Sequence, residues 1–191
     1  MGTARLEQYL TRICVLFGVL LVVVGCSTTP DVPPAANSAP IEVAFSPDGN
    51  AEALVLRVIS SARQSLRLAG YSFTSPAVVK ALIDAQRQHI DVQVILDDRG
   101  NRGKANISAM NLLVGAGVEV RVTSKYAIHH DKFIVVDSQT VQTGSFNYTQ
   151  AAARANSENV LVVWSDRALA ASYLMHWESR WTQGTRVEIS Y

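Results

Sequence analysis

Residues 128–159 read IHHDKFIVVDSQTVQTGSFNYTQAAARANSEN, and both fold and chemistry turn on this stretch. Its apolar run predicts a strand over Ala127–Val136, and a second strand follows over Thr140–Thr143. Side chains on a strand alternate faces, so His130 and Lys132 point one way while His129 and Asp131 point the other. If the chain stays extended after Gly144, Ser145 and Asn147 also share a face. An imidazole, an ammonium, a hydroxyl and a carboxamide then surround one pocket. That set suits a phosphate. Lysine supplies charge, serine and asparagine supply neutral donors, and histidine can attack or carry a proton. Glu158 follows, a carboxylate able to hold an imidazole in the needed tautomer.

Upstream, Ile41–Phe45 suits a strand, and Ala51–Ala62 has helical spacing with Asp48 and Asn50 as candidate caps. Leu66–Phe73 reads as a strand. Ser75-Pro76 opens a helix reaching Gln88, because serine caps well and proline is tolerated at the first helical position. Val92–Leu96 is a buried strand ended by Asp97-Asp98-Arg99-Gly100. Ile107–Val114 is a short helix closed by Gly115 and Gly117, and Val118–Val122 is a strand. Downstream, Asn159–Trp164 is a strand and Asp166–Thr182 a helix whose His176, Trp177 and Trp181 are expected to face the core. Early βαβα alternation followed by clustered strands predicts an α/β fold, a mixed sheet flanked by helices on both faces, in a single domain over residues 41–191.

The amino terminus predicts an address rather than a fold. Arg5 and Arg12 precede an uncharged apolar run over residues 13–25, too short for the roughly 20 residues of a spanning helix. The run ends Val23-Val24-Gly25-Cys26, which resembles the bacterial lipobox, with Cys26 as the lipid acceptor. A plain secretory signal or short anchor is the alternative. Ser27 is a non-acidic residue of the kind that goes with outer-membrane sorting in such lipoproteins. The expectation is an exported, periplasmic, membrane-tethered lipoprotein, with residues 1–25 as its signal and 26–40 as a proline-rich tether. Four of the six prolines lie in that tether, which favours extended polyproline II over a core.

The 191 residues are 48% hydrophobic and 17% charged, enough apolar side chains for a real core and too few charges for a disordered chain. Seventeen basic residues face 16 acidic ones, which excludes nucleic-acid binding by bulk charge alone and leaves room for a local basic groove. Only Cys14 and Cys26 are cysteines, so neither a disulfide scaffold nor a cysteine-rich zinc module is present.

His130-x-Lys132, four residues, Asp137, six residues, Gly144-Ser145-x-Asn147 resembles the signature of the phospholipase D superfamily at every fixed position and spacing. Thr143–Tyr148, Asn156–Asn159 and His176-Trp177-x-x-Arg180-Trp181 are similar to the small, single-motif bacterial endonucleases within it. The resemblance implies that one histidine attacks phosphorus to form a phosphohistidine, and a second protonates the leaving oxygen and then activates water. It implies neither metal nor cofactor. Larger relatives carry two motif copies; with one copy, the resemblance implies a homodimer whose active site uses His130 of both protomers. Lys132, Ser145 and Asn147 would clamp the phosphoryl oxygens where charge gathers.

Blander roles stand beside these. His129 is expected to be structural. Asp137 completes the motif, yet its odd parity relative to His130 favours support of the fold. Asp97 and Asp98 suit a strand-end turn better than a metal. Arg99, Arg102 and Lys104 form a basic loop that either tracks a nucleic-acid backbone or is merely solvated. The leading expectation is a metal-independent, non-specific endonuclease acting on DNA, with RNA as a second candidate substrate. The alternatives are a phospholipase D-type hydrolase of phospholipids at the membrane and a binding lipoprotein without catalysis.

Overall fold

The computed structural model describes residues 39–189. The predicted signal segment, Cys26 and the tether up to residue 38 lie outside the described residues. In chain order the elements are β1 (Ile41–Ser46), α1 (Ala51–Ser60), β2 (Ser65–Gly70), α2 (Pro76–Arg87), β3 (Asp91–Asp97), a 3-10 turn (Arg99–Asn101), α3 (Lys104–Gly115), β4 (Glu119–Thr123), β5 (Phe133–Val136), β6 (Thr140–Gly144), α4 (Gln150–Arg154), β7 (Glu158–Val163), α5 (Arg167–Trp181) and β8 (Thr185–Arg186). They build one eight-stranded mixed sheet in the order β1-β7-β6-β5-β2-β3-β4-β8.

The βαβα alternation gives the parallel part, with β2 beside β3 and β3 beside β4 through the α2 and α3 crossovers. The clustered strands give the antiparallel part. β5 and β6 form a hairpin with Phe133 opposite Thr143 and Val136 opposite Thr140. Its turn places Asp137 and Ser138 at φ 50° and 54°, the left-handed backbone that matches strand twist in tight hairpins. Local chemistry starts the helices. Ser75 Oγ accepts from Val78 N–H ahead of α2, Thr149 caps α4 at Ala152, and Asp166 caps α5 at Leu169.

Helices cover both faces of the sheet, as expected. On one face, apolar residues of α1, α2 and α3 pack with Leu66, Leu68, Val94, Leu96, Ile134, Val160 and Val162. On the other, Ala170 and Trp177 of α5 pack with Ala69, Ile95, Phe133, Val135 and Val141. Alternation along each strand assigns its residues to these two cores. α5 lies over β6, β5 and β2. Beyond it, Ile41, Val43 and Phe45 of edge strand β1 remain 63%, 60% and 57% exposed. Ile41 and Val43 pair with the half-buried Val163 and Leu161 of β7.

Several expectations need correction. The strand foreseen from Ala127 starts at Phe133, because β5 pairs with β2 only over Leu66–Ala69 and residues 124–132 have no ladder partner. β2 ends at Gly70 rather than Phe73, whose N–H donates to Asn101 Oδ1 at 3.0 Å. α3 starts three residues before Ile107. Asn50 occupies the cap position of α1 with a left-handed backbone, φ 61°, and its side chain makes no cap bond. α4 and β8, five and two residues long, were not foreseen; both are too short for periodicity to register.

Candidate active site

The site lies where parallel strands β2 and β3 end and antiparallel β5 begins, the carboxyl edge where open α/β sheets bind ligands. His130 is exposed on the loop entering β5, and its ring meets Tyr71 edge-on with centroids 4.8 Å apart. Tyr71 follows the end of β2. Lys132 is buried: its Nζ donates to the His130 carbonyl at 2.9 Å and lies 5.6 Å from the Tyr71 ring centroid. Burial pushes the Lys132 ammonium below its ordinary pKa, and the nearby Glu158 and Asp131 charges oppose that shift.

Beyond β6 burial alternates residue by residue from Ser145 to Tyr148. Phe146 and Tyr148 point into the core, both fully buried, and the Tyr148 hydroxyl donates to Gln142 Oε1 at 2.9 Å. Burial pushes that phenol well above its usual value. Ser145 and Asn147 point to the site. Truncating an anchor such as Phe146 costs about 3–5 kcal/mol, so the cavity wall rests on the core. Asn147 Oδ1 is buried with no partner among the described residues. A half-turn of that amide exchanges oxygen for NH₂, so the position can present a donor or an acceptor. A cavity of about 540 Å³ joins His130, Lys132, Gly144, Ser145, Asn147, Glu158 and Asn159.

Glu158 and Ser145 are both brought to the cavity, where they bond to each other. Ser145 Oγ donates to Glu158 Oε2 at 2.6 Å and accepts from Asn159 N–H at 3.0 Å, so its proton is already committed. Glu158 accepts from Ser145 and from Asn156 Nδ2, not from an imidazole of its own chain. The strand ends explain this: Gly144 lets β6 approach Asn159 closely, which sets the neighbouring Ser145 and Glu158 side chains together.

Asp137 is not brought to the site. It lies at the opposite end of β5 from His130, and its carboxylate accepts from the backbone N–H groups of Arg63, Gln64 and Ser65. Arg99, Arg102 and Lys104 do not line the cavity either. Arg99 begins the 3-10 turn, Lys104 begins α3, and exposed Arg102 pairs with Asp98 at 2.5 Å. Asp97 serves the strand end, accepting from Gly100 N–H and His129 N–H. His129 is 2% exposed, with burial pushing its imidazole below the ordinary value.

Sequence reasoning missed Tyr71 and His176. Tyr71 was signalled by its place at the carboxyl end of a parallel strand. His176, expected in the core, is instead half exposed; its Nε2 lies 2.8 Å from Asp131 Oδ2. It lines a second cavity of about 440 Å³ with His130, Asp131, Lys132 and Tyr173. No group of three or more His, Cys, Asp or Glu is placed to hold a metal among the described residues.

A histidine, a buried lysine and an asparagine at this edge of a mixed sheet define a hydrolase site built for a phosphoryl group. Residues 55–181 match the protein family described as "Cardiolipin synthase, PLD-like domain". The chain belongs to this phospholipase D-like family. It is 37% identical over 140 residues to phospholipase D of Rickettsia bellii, covering 73% of this chain and 68% of that protein. It is 30% identical over 162 residues to mitochondrial cardiolipin hydrolase of Mus musculus, covering 85% and 71%. Among solved structures it resembles Nuc, a phospholipase D family member from Salmonella typhimurium, with a TM-score of 0.78 and 46% identity over 79% of this chain and 99% of that one. NucT from Helicobacter pylori shares the fold at a TM-score of 0.65 and 21% identity, over 78% of this chain and 100% of that one.

Proposed function

We propose that this protein is a metal-independent, non-specific endonuclease cleaving DNA through a phosphohistidine intermediate. The supporting observation is the cavity in which His130, Lys132 and Asn147 converge. His130 attacks phosphorus while the bond to the leaving oxygen breaks and that oxygen takes a proton. Water then attacks the phosphohistidine and frees the imidazole. The buried Lys132 ammonium and the Asn147 amide hold the phosphoryl oxygens, and such fixed donors contribute most where transition-state charge develops. Ser145 and Glu158 hold the wall from which Asn147 projects.

The chemistry needs one neutral imidazole to attack and one protonated imidazole to give up a proton. The second comes, on this reading, from His130 of another copy in a homodimer. The edge of the sheet beyond α5, strands β7 and β1, with Ile41, Val43 and Phe45 exposed among the described residues, supplies an apolar surface for it, and Phe45 pairs with Asn159 at the cavity's edge. An isologous contact there repeats the same patch on both copies.

Hydrolysis of phospholipids is the second reading, favoured by the names of the Rickettsia and mouse relatives. The side chains that line the cavity read the phosphate, which both substrates carry. The deciding experiment is digestion of supercoiled plasmid by the purified protein in excess EDTA, beside His130→Ala and beside cardiolipin vesicles. Nicking by the parent alone supports the nuclease; vesicle hydrolysis without nicking transfers the function to lipid. Export and lipidation at Cys26 complete the proposal, with the protein tethered in the periplasm at the outer membrane. Labelled palmitate incorporated by the parent and lost in Cys26→Ser tests it.

A further inference from the structure

The segment carrying His130 and Lys132 belongs to no strand: residues 124–132 lie between the end of β4 and the start of β5. Side-chain contacts hold it instead: the Tyr126 hydroxyl donates to Gln183 Oε1 at 2.9 Å, the Arg180 guanidinium lies over the Tyr126 ring, the His130 ring meets Tyr71, and four more lie between residues 129 and 132. His129 N–H donates to Asp97 Oδ2 at 2.7 Å, at the end of β3. Lys132 Nζ bonds back to the His130 carbonyl. The third and fourth converge on one oxygen: Asp131 Oδ2 lies 2.8 Å from His176 Nε2 and 3.4 Å from His129 Nδ1. His176 comes from α5, and its ring also lies 6.0 Å, centroid to centroid, from that of Phe133, the first residue of β5.

We infer that Asp131 and His176 are positioning residues, a clamp between the loop and α5 that sets the direction of His130 and Lys132. Asp131 stands between those two residues, so fixing its side chain fixes the backbone they share. With no ladder bonds, that backbone is held by side-chain contacts, the Tyr71 ring against His130 among them. The His176 side chain is 39% exposed, and a carboxylate–imidazole contact so exposed contributes little to global stability. Its effect falls on orientation, where a displacement of about 1 Å costs on the order of 100-fold in rate. Of the two imidazoles on Asp131, His129 is the weaker partner, since it is farther away and burial disfavours its charged form. His176 is therefore the principal donor. This inference rests on His130 being the reacting group.

The test is steady-state hydrolysis of bis(4-nitrophenyl) phosphate, together with NMR of the imidazole C–H signals of the four histidines. Both use the whole protein. His176→Leu is expected to lower kcat about 10- to 100-fold with KM within about twofold. Asp131→Ala matches it, and the double variant falls little further, because both remove one contact. His176→Gln keeps an N–H donor but cannot shuttle a proton, and it returns kcat to within about threefold of the parent. The His130 signal moves in His176→Leu and returns in His176→Gln. Asp131→Asn, which keeps the side-chain size and weakens the acceptor, carries the same test if His176→Leu fails to fold. Parent-like kcat in His176→Leu, losses that multiply in the double variant, or failure of His176→Gln to restore rate each overturn the inference. If the parent does not turn over this probe, the NMR still decides. An unmoved His130 signal overturns the clamp, and a moved one sustains it while the phosphodiesterase reading fails alone.

Discussion

Gly144 faces Asn159 so closely that a Cβ on the glycine would lie 2.2 Å from the Asn159 carbonyl oxygen. Its φ of 146° also lies where side-chain-bearing residues are strained. Gly144→Ala must therefore push β6 from β7 at the edge of the cavity. We expect a loss of about 2–4 kcal/mol in urea unfolding, with activity lost in whatever remains folded.

Asp137 separates motif membership from chemistry. Its carboxylate takes three backbone N–H groups of residues 63–65, away from the cavity. Asp137→Ala leaves those donors to water and should cost about 1–3 kcal/mol. The kcat measured well below the unfolding transition should stay within about twofold of the parent.

On the proposed function, Lys132 should trade stability for turnover. Its ammonium is buried and held below its ordinary pKa mainly by that burial. Lys132→Met keeps the length of the stem and removes the buried charge. It should raise stability by about 1 kcal/mol and lower turnover by about 100-fold or more. Calorimetry and kinetics on the same sample check both signs.

His129 makes stability fall on the acid side. Burial, opposed by Asp131 and Asp97, holds the folded imidazole below its ordinary 6.5. Between the folded value and 6.5 the unfolded chain binds more protons, so unfolding free energy rises with pH through that window and falls as pH drops. In His129→Leu the slope of stability against pH over this window should flatten. Urea midpoints measured from pH 5 to pH 8 would show it.

Phe45 and Val43 test the partner surface. Both are more than half exposed on β1, beyond the reach of α5. In the proposed dimer, Val43→Glu with Phe45→Glu places four like charges in one two-fold contact. Light scattering should then report the monomer mass, and plasmid nicking should disappear, while the circular dichroism stays that of the parent. A parent that is already monomeric and active removes the shared-site proposal.

How much was legible can be judged from particular residues. Parity placed Ser145 and Asn147 on one face, and the structure keeps that pair at the cavity. The βαβα spacing predicted the parallel strands and their crossovers. The same parity, applied back to Ala127, assumed a strand where the chain has none, because β2 ends before it can offer a partner there. The basic loop read as a candidate track, yet Arg102 spends its guanidinium on Asp98.

What the sequence determined by itself is local. Strand alternation, helical spacing, caps and the spacing of His130, Lys132, Gly144 and Asn147 follow from backbone geometry within a few residues. What only the tertiary structure decided is which distant groups meet. His176 reaches Asp131 across 45 positions, and Asp137 closes onto residues 63–65 instead of the cavity. The apolar face of β1 stays open because α5 lies over β6, β5 and β2. Those outcomes depend on how a helix lies on a twisted sheet, a balance of packing over the whole domain that no short window of sequence contains.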